Sequence, residues 1–167
     1  MNRYGYSLIE LIVVIAILAI LLALATIDFN TWQRKSIVER YTKELYSDIQ
    51  NARMKAAFTK KRQRIVLGTQ QAQFWSYSSE GDLGGTNVST KILPLSLTLN
   101  AGWTPANIID FDTRGIMNDP VPPAKVICFT TTVDAAYDAV IITGALTSMG
   151  KVTNRGSFCA QTNVTQK

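Results

Sequence analysis

Histidine is absent from the 167 residues. That removes the side chain whose unperturbed charge change lies nearest neutral pH, and with it the commonest general base and metal ligand. Cysteine occurs only at Cys128 and Cys159, and two separated thiols without histidine do not make a tetrahedral metal set. Acids are scarce, 12 against 17 basic residues, for a net charge of +5. Proline is missing from Leu8 to Phe58, so nothing in that stretch forces a helix to stop. Asp110 and Asp112 flank Phe111 and would share one face of a strand, as a metal or acid/base pair could. Aspartates at a strand end before a turn explain the spacing as well, and no nucleophile, phosphate loop or metal set accompanies them. No catalytic residue, cofactor or metal is therefore expected, and the chain reads as a non-enzyme.

What is present begins with an apolar run. Between Leu8 and Ile27 the only polar side chains are Glu10 and Thr26. Twenty residues of helix at ~1.5 Å each match a hydrocarbon core of ~30 Å. A removable secretory signal is the alternative, with Arg3 as its basic region and Ala23-Leu24-Ala25 as the cut site. Against it stand the early acid and the continuation of the helix. Val38, Tyr41, Leu45, Ile49, Ala52 and Ala56 recur every 3 or 4 residues, with Arg40, Lys43, Glu44, Asp48, Arg53 and Lys55 between them. One helix of roughly 50 residues is expected, its first half apolar all round and its second half amphipathic. Ala16, Ala19 and Ala23 put small residues on one face, where other membrane helices can approach.

Beyond Phe58 the basic cluster Lys60, Lys61, Arg62 and Arg64 marks a change to β character. Arg64–Leu67, Ala72–Tyr77, Ile92–Leu99, Ile108–Phe111, Val126–Thr132 and Ala139–Leu146 are rich in β-branched and aromatic residues. Turn signals separate them: Glu80-Gly81-Asp82 with Gly84-Gly85, Asn100-Ala101-Gly102, Thr113-Arg114-Gly115, Asn118-Asp119-Pro120 with Pro122-Pro123, and Ser148-Met149-Gly150. The expected class is α+β, with antiparallel strands packed on the second half of the helix.

Cys128 and Cys159 are either two buried thiols or a disulfide. A pair behind an N-terminal anchor favours the disulfide and an oxidising compartment. Charge points the other way, since Arg34 to Arg64 holds ten basic residues against three acids and would by itself keep the head in the cytoplasm. Export of the head then requires a dedicated signal.

Met1-Asn2-Arg3-Tyr4-Gly5 followed by Tyr6-Ser7-Leu8-Ile9-Glu10-Leu11 resembles the signal of type IV pilins and type II secretion pseudopilins: a short basic leader, a glycine, an aromatic residue and an early acid. The resemblance implies cleavage by prepilin peptidase between Gly5 and Tyr6 and N-methylation of Tyr6, where relatives usually carry phenylalanine. The implied organisation is a leader (1–5), a transmembrane and assembly helix (6–27), an amphipathic half (28–58) and a β-rich head (59–167). The relatives' proline about 22 residues into the mature chain has no counterpart here. Tyr41 to Leu67 is similar to the GspH/FimT group of minor pilins and pseudopilins, with Ile49 leading the pattern Ile-x-x-Ala-Arg-x-x-Ala, and Phe111–Gly115 and Ser148–Lys151 are similar to that group's glycine turns.

A carboxylate toward the centre of a spanning helix costs about 2.5 to 3.5 kcal/mol and needs a partner. For Glu10 the freed amine of a neighbouring subunit's Tyr6 is one candidate, which would register subunits axially; snorkelling to the headgroups is the other. The implied partners are other pilin or pseudopilin subunits, the peptidase and the inner membrane. The implied locations are that membrane, head outside the cytoplasm, and then a filament. Lys60, Lys61, Arg62, Arg64, Lys151 and Arg155 raise DNA binding as an alternative, because relatives of the FimT kind bind DNA through basic residues. Such runs are also solvated faces or headgroup contacts, and from Ile65 to Lys167 six basic residues meet seven acids.

Overall fold

A 52-residue helix, α1 (Leu8–Thr59), forms the stem, about 78 Å long at 1.5 Å per residue. The computed structural model describes residues 5–103, 106–118, 124–154 and 159–166, without the side chains of 24–28. The leader residues before Gly5, the turn residues Asp119, Pro120, Pro122 and Pro123, and the basic Arg155 and Lys167 lie outside the described residues. Ser7, in extended backbone, precedes the helix, and its carbonyl accepts the first helical N–H, from Leu11, at 3.2 Å. Lys60 ends it in the left-handed conformation, φ 55. That conformation is costly for any residue with a Cβ. Lys60→Gly is accordingly expected to stabilise the chain by about 1 kcal/mol, read as a higher urea midpoint.

Among the described residues nine strands follow in two antiparallel sheets. The first has the order β3 (Thr86–Ile92), β2 (Gln71–Ser76), β1 (Gln63–Leu67), β5 (Ile108–Phe111). The second runs β4 (Leu97–Leu99), β6 (Ala124–Phe129), β7 (Ala139–Thr143), β8 (Thr147–Val152), β9 (Val164–Gln166). The main core joins both sheets to the stem. Val38, Leu45, Ile49 and Ala56 of α1 cluster with Ile65, Leu67, Ile109 and Phe111 of the first sheet and with Ile127, Phe129, Val140 and Ile142 of the second. The alternate residues Val126, Cys128, Ala139 and Ile141 form a second cluster with Cys159. Since successive side chains of a strand point to opposite faces, β6 and β7 at the middle of the second sheet are buried on both sides. This is why Val126 to Phe129 of β6 reads as one apolar run instead of an alternation.

Fold class and helix agree with expectation, and four details do not. The stretch Ile92–Leu99 is not one strand: Ile92 ends β3, and Leu97 opens β4 in the other sheet. Pro94 stands between them, has no N–H for a ladder, and marks the crossover. The expected strand Ala139–Leu146 turns back after Thr143, where Leu146 N–H donates to Thr143 Oγ1 at 3.2 Å. Ser148-Met149-Gly150 is not a turn but the middle of β8. A Cβ on Gly150 would lie 2.5 Å from Val164 Cγ1, so this glycine allows close packing of strands. Finally, β3 carried no apolar signal because nearly all of it is exposed; its ladder with β2 holds it in place.

Candidate assembly site

No described side chain in the N-terminal half of α1 is buried. From Leu8 to Ala23 every side chain is exposed, and the first buried residue is Val38. So large a contiguous apolar surface marks a partner or a membrane. Among the described residues no helix is long and apolar enough to cross a membrane. The described apolar side chains stop at Ala23, and Leu24 to Ile27 complete the twenty-residue run in the sequence.

At the tip, Gly5 touches nothing: a Cβ there would meet no atom within 4 Å. The fold therefore gives no steric reason for this glycine. Tyr6 is 86% exposed, and Glu10 is exposed in the first helical turn, where a negative charge suits the helix N-terminus. Ser7 and Glu10 have capping-box spacing, but the Ser7 side chain makes no cap hydrogen bond.

Among the described residues, the basic side chains are not gathered into one open surface. Lys60 and Lys61 are exposed. Arg62 and Arg64 converge on Asp110: Arg64 Nη2 donates to Oδ2 at 2.6 Å, while Arg62 Nε faces Oδ1 at 3.5 Å as an ion pair without hydrogen-bond geometry. Arg62 also lies over the Tyr77 ring at 4.0 Å and donates to the carbonyls of Glu80 and Asp82. Lys151 belongs to the other sheet and pairs with Asp134 at 3.0 Å.

Asp110 and Asp112 both have structural duties. Asp112 is buried and accepts from the N–H groups of Arg114 (2.9 Å) and Ile116 (2.8 Å) and from Arg114 Nε (2.8 Å). It shapes the turn at Gly115, φ 78, whose Cα approaches α1 so closely that a Cβ would sit 2.8 Å from the Arg53 carbonyl. Among the described residues no group of three or more His, Cys, Asp or Glu could hold a metal.

Two cations clasp the stem to the head. Arg53, only 9% exposed, corrects its expected place on the solvated side of the stripe. Its guanidinium donates to the carbonyls of Gly115 (3.2 Å), Gly144 (2.9 Å) and Thr143 (3.1 Å) and to Thr147 Oγ1 (3.1 Å), and lies 4.8 Å from the Phe111 ring centroid. Burial lowers its pKa from the ordinary arginine value. Lys91 of β3 reaches Glu44 at 2.7 Å and Asp48 at 2.5 Å on α1. A third cation, the fully buried Lys125, ties the sheets together by donating to Ile108 O at 2.6 Å. Beside the Lys91 pair lies an open groove of about 330 Å³ between α1 and the β2–β3 hairpin, lined in part by Lys55, Trp75 and Val88.

These charges fix a pH window. For Asp112 burial opposes ionisation, but the donors from Ile116 and Arg114 outweigh it and hold the carboxyl below the usual range. Asp82, half-buried, is held at about 2, chiefly by the N–H groups of Ser78 and Gly84. Both folded values lie below the unfolded value of about 3.9, so this stability is present above it and lost as pH falls through the folded values. For Lys91 burial opposes the charge, but its bonds to Asp48 and Glu44 win and raise its pKa. Its contribution persists below the unfolded value of about 10.4 and is lost as pH rises through the folded one. The urea midpoint should therefore keep these contributions from roughly pH 5 to 10, with the acid decline starting near pH 4 and reduced in Asp82→Asn. A decline of similar size already at pH 6 would contradict this.

Cys128 and Cys159 are joined in a disulfide, Cα atoms 5.9 Å apart, which answers the thiol alternative. It fastens the C-terminal segment over the outer face of β6, where Cys128 belongs to the second core cluster.

A bare helical stem carrying a clasped two-sheet head defines the fold class. The prokaryotic N-terminal methylation motif matches residues 1–26. The head and stem have the fold of the type IV minor pilin FimU of Pseudomonas aeruginosa: in one crystal form the TM-score is 0.53 at 12% identity, covering 77% of this chain and 99% of that one. A second crystal form of FimU aligns at TM-score 0.41 and 12% identity, over 77% and 91% of the two chains. No curated protein matches.

Proposed function

We propose that the chain is a structural subunit of a type IV filament, a minor pilin of the GspH/FimT kind, which docks through its stem and displays its head. The observation that carries this is the methylation signal at the tip of a helix whose apolar half contacts nothing in the head. The leader (1–5) is removed after Gly5 by prepilin peptidase, and Tyr6 is N-methylated. The helix 6–27 then sits in the inner membrane, with the amphipathic half (28–58) and the head (59–167) outside the cytoplasm. A glycine that packing does not require is consistent with a residue read by a peptidase. In the filament Glu10 pairs with the Tyr6 amine of a neighbouring subunit, because a slipped neighbour leaves a charge uncompensated in low dielectric. Among the described residues of the basic set, the DNA-binding alternative draws support from the exposed Lys60 and Lys61.

Intact mass of the membrane-extracted protein tests the reading. Loss of Met1 to Gly5 with one added methyl group is expected; a start at Thr26 would identify an ordinary secretory signal, and an uncut chain a simple anchor. Glu10→Gln should be cut normally yet enter filaments poorly, and normal incorporation would remove the registration role.

A further inference from the structure

Phe29 and Trp32 stand one turn apart on α1, 57% and 64% exposed, with ring centroids 6.0 Å apart. Nothing in the fold uses them, since burial against the head begins only at Val38. They follow the apolar run after one acid, Asp28, and the basic pair Arg34 and Lys35 comes next. Tryptophan collects at membrane–water interfaces, where its apolar body meets a wet edge; Phe29 adds a purely apolar ring on the hydrocarbon side of Trp32, and basic residues beside them attract anionic headgroups.

Distances along the helix make the placement specific. Phe29 lies about 31 Å and Trp32 about 36 Å beyond Leu8 at 1.5 Å per residue, against ~30 Å of hydrocarbon and 40–45 Å with headgroups. With Phe29 at one hydrocarbon boundary, Glu10 lies about 29 Å away, at the other boundary and not at the midplane.

We propose that Phe29, Trp32, Arg34 and Lys35 form an interfacial collar that binds the anionic headgroup zone on the head side of the membrane. The collar sets the depth of the unassembled stem and keeps Glu10 at the opposite headgroup level. Its carboxylate then stays hydrated until a neighbouring helix covers it. The inference rests on the membrane-anchored reading above, and the basic pair supplies the complementarity to anionic lipid that a purely apolar helix neighbour would not need.

The test uses the full chain in phosphatidylcholine–phosphatidylglycerol vesicles whose lipids are brominated either near the headgroup or near the chain ends. Subtracting the emission of Trp32→Phe from that of the unaltered chain isolates Trp32 from Trp75 and Trp103. Shallow bromines should quench this difference emission roughly twofold more than deep ones. Flotation with the vesicles but no quenching, or stronger quenching by deep bromines, would overturn the collar while leaving the anchor standing. Failure to float would overturn the anchored reading, and the collar with it.

Discussion

Replacing Arg53 by alanine is expected to destabilise the head by about 3 kcal/mol or more. The guanidinium is buried, and its four hydrogen bonds go to two turns far apart in the chain, Gly115 after β5 and Thr143, Gly144 and Thr147 between β7 and β8. A hydrogen bond to a charged group contributes about 1.5–3 kcal/mol, and each acceptor left buried without a donor costs about 1–3 kcal/mol. Desolvation of the charge, visible in its lowered pKa, offsets part of this, so the sum is well below four full bonds. Lost contact with the Phe111 ring adds to the effect. Arg53→Lys should recover only part of it, because one ammonium cannot span the acceptors of a planar fork. Urea unfolding of the full chain in detergent, followed by near-ultraviolet circular dichroism, measures both. A loss under about 1 kcal/mol for Arg53→Ala would show that the turns hold the stem without it.

Removing the disulfide by the double substitution Cys128→Ala with Cys159→Ala should cost about 4 kcal/mol in the chain-entropy account for a separation of 31 residues. The loss should be local before it is global. The bond holds the segment that covers the outer face of the second sheet, so β9 and the short 3-10 turn Gln161–Asn163 should exchange amide hydrogens first. Reduction of the unaltered protein should reproduce the double variant's urea midpoint. Equal midpoints with and without reductant, in a chain shown to be reduced, would mean that packing alone secures the segment.

The stem was legible because its information is local. An unbroken apolar run, a helical stripe from Val38 to Ala56 and a signal before Tyr6 each occupy adjacent residues. The head was legible only where burial leaves a mark on single strands, as in Ile108–Phe111, where expected and observed strand coincide. Position β3 escaped because a strand held by its ladder alone needs no apolar side chains. Arg53 escaped for a different reason: an arginine in an amphipathic helix defaults to water, and only turns some 60 and 90 residues away make its burial possible. The basic cluster illustrates the same limit in reverse. Arg62 and Arg64 look free until Asp110 arrives from β5, some 46 residues further on.

The clasp at Arg53 also decides how the chain bears load. The chain passes from stem to head covalently at only one point, Lys60 to Arg62, yet the stem lies along both sheets from Val38 to Ala56. A pull along the helix axis therefore shears the whole contact at once, so the Arg53 bonds, the Lys91 pair and the apolar packing must yield together. A sideways pull on the head would instead peel them one by one. The head is built to hang from an axially strained rod and to give way under a lateral one.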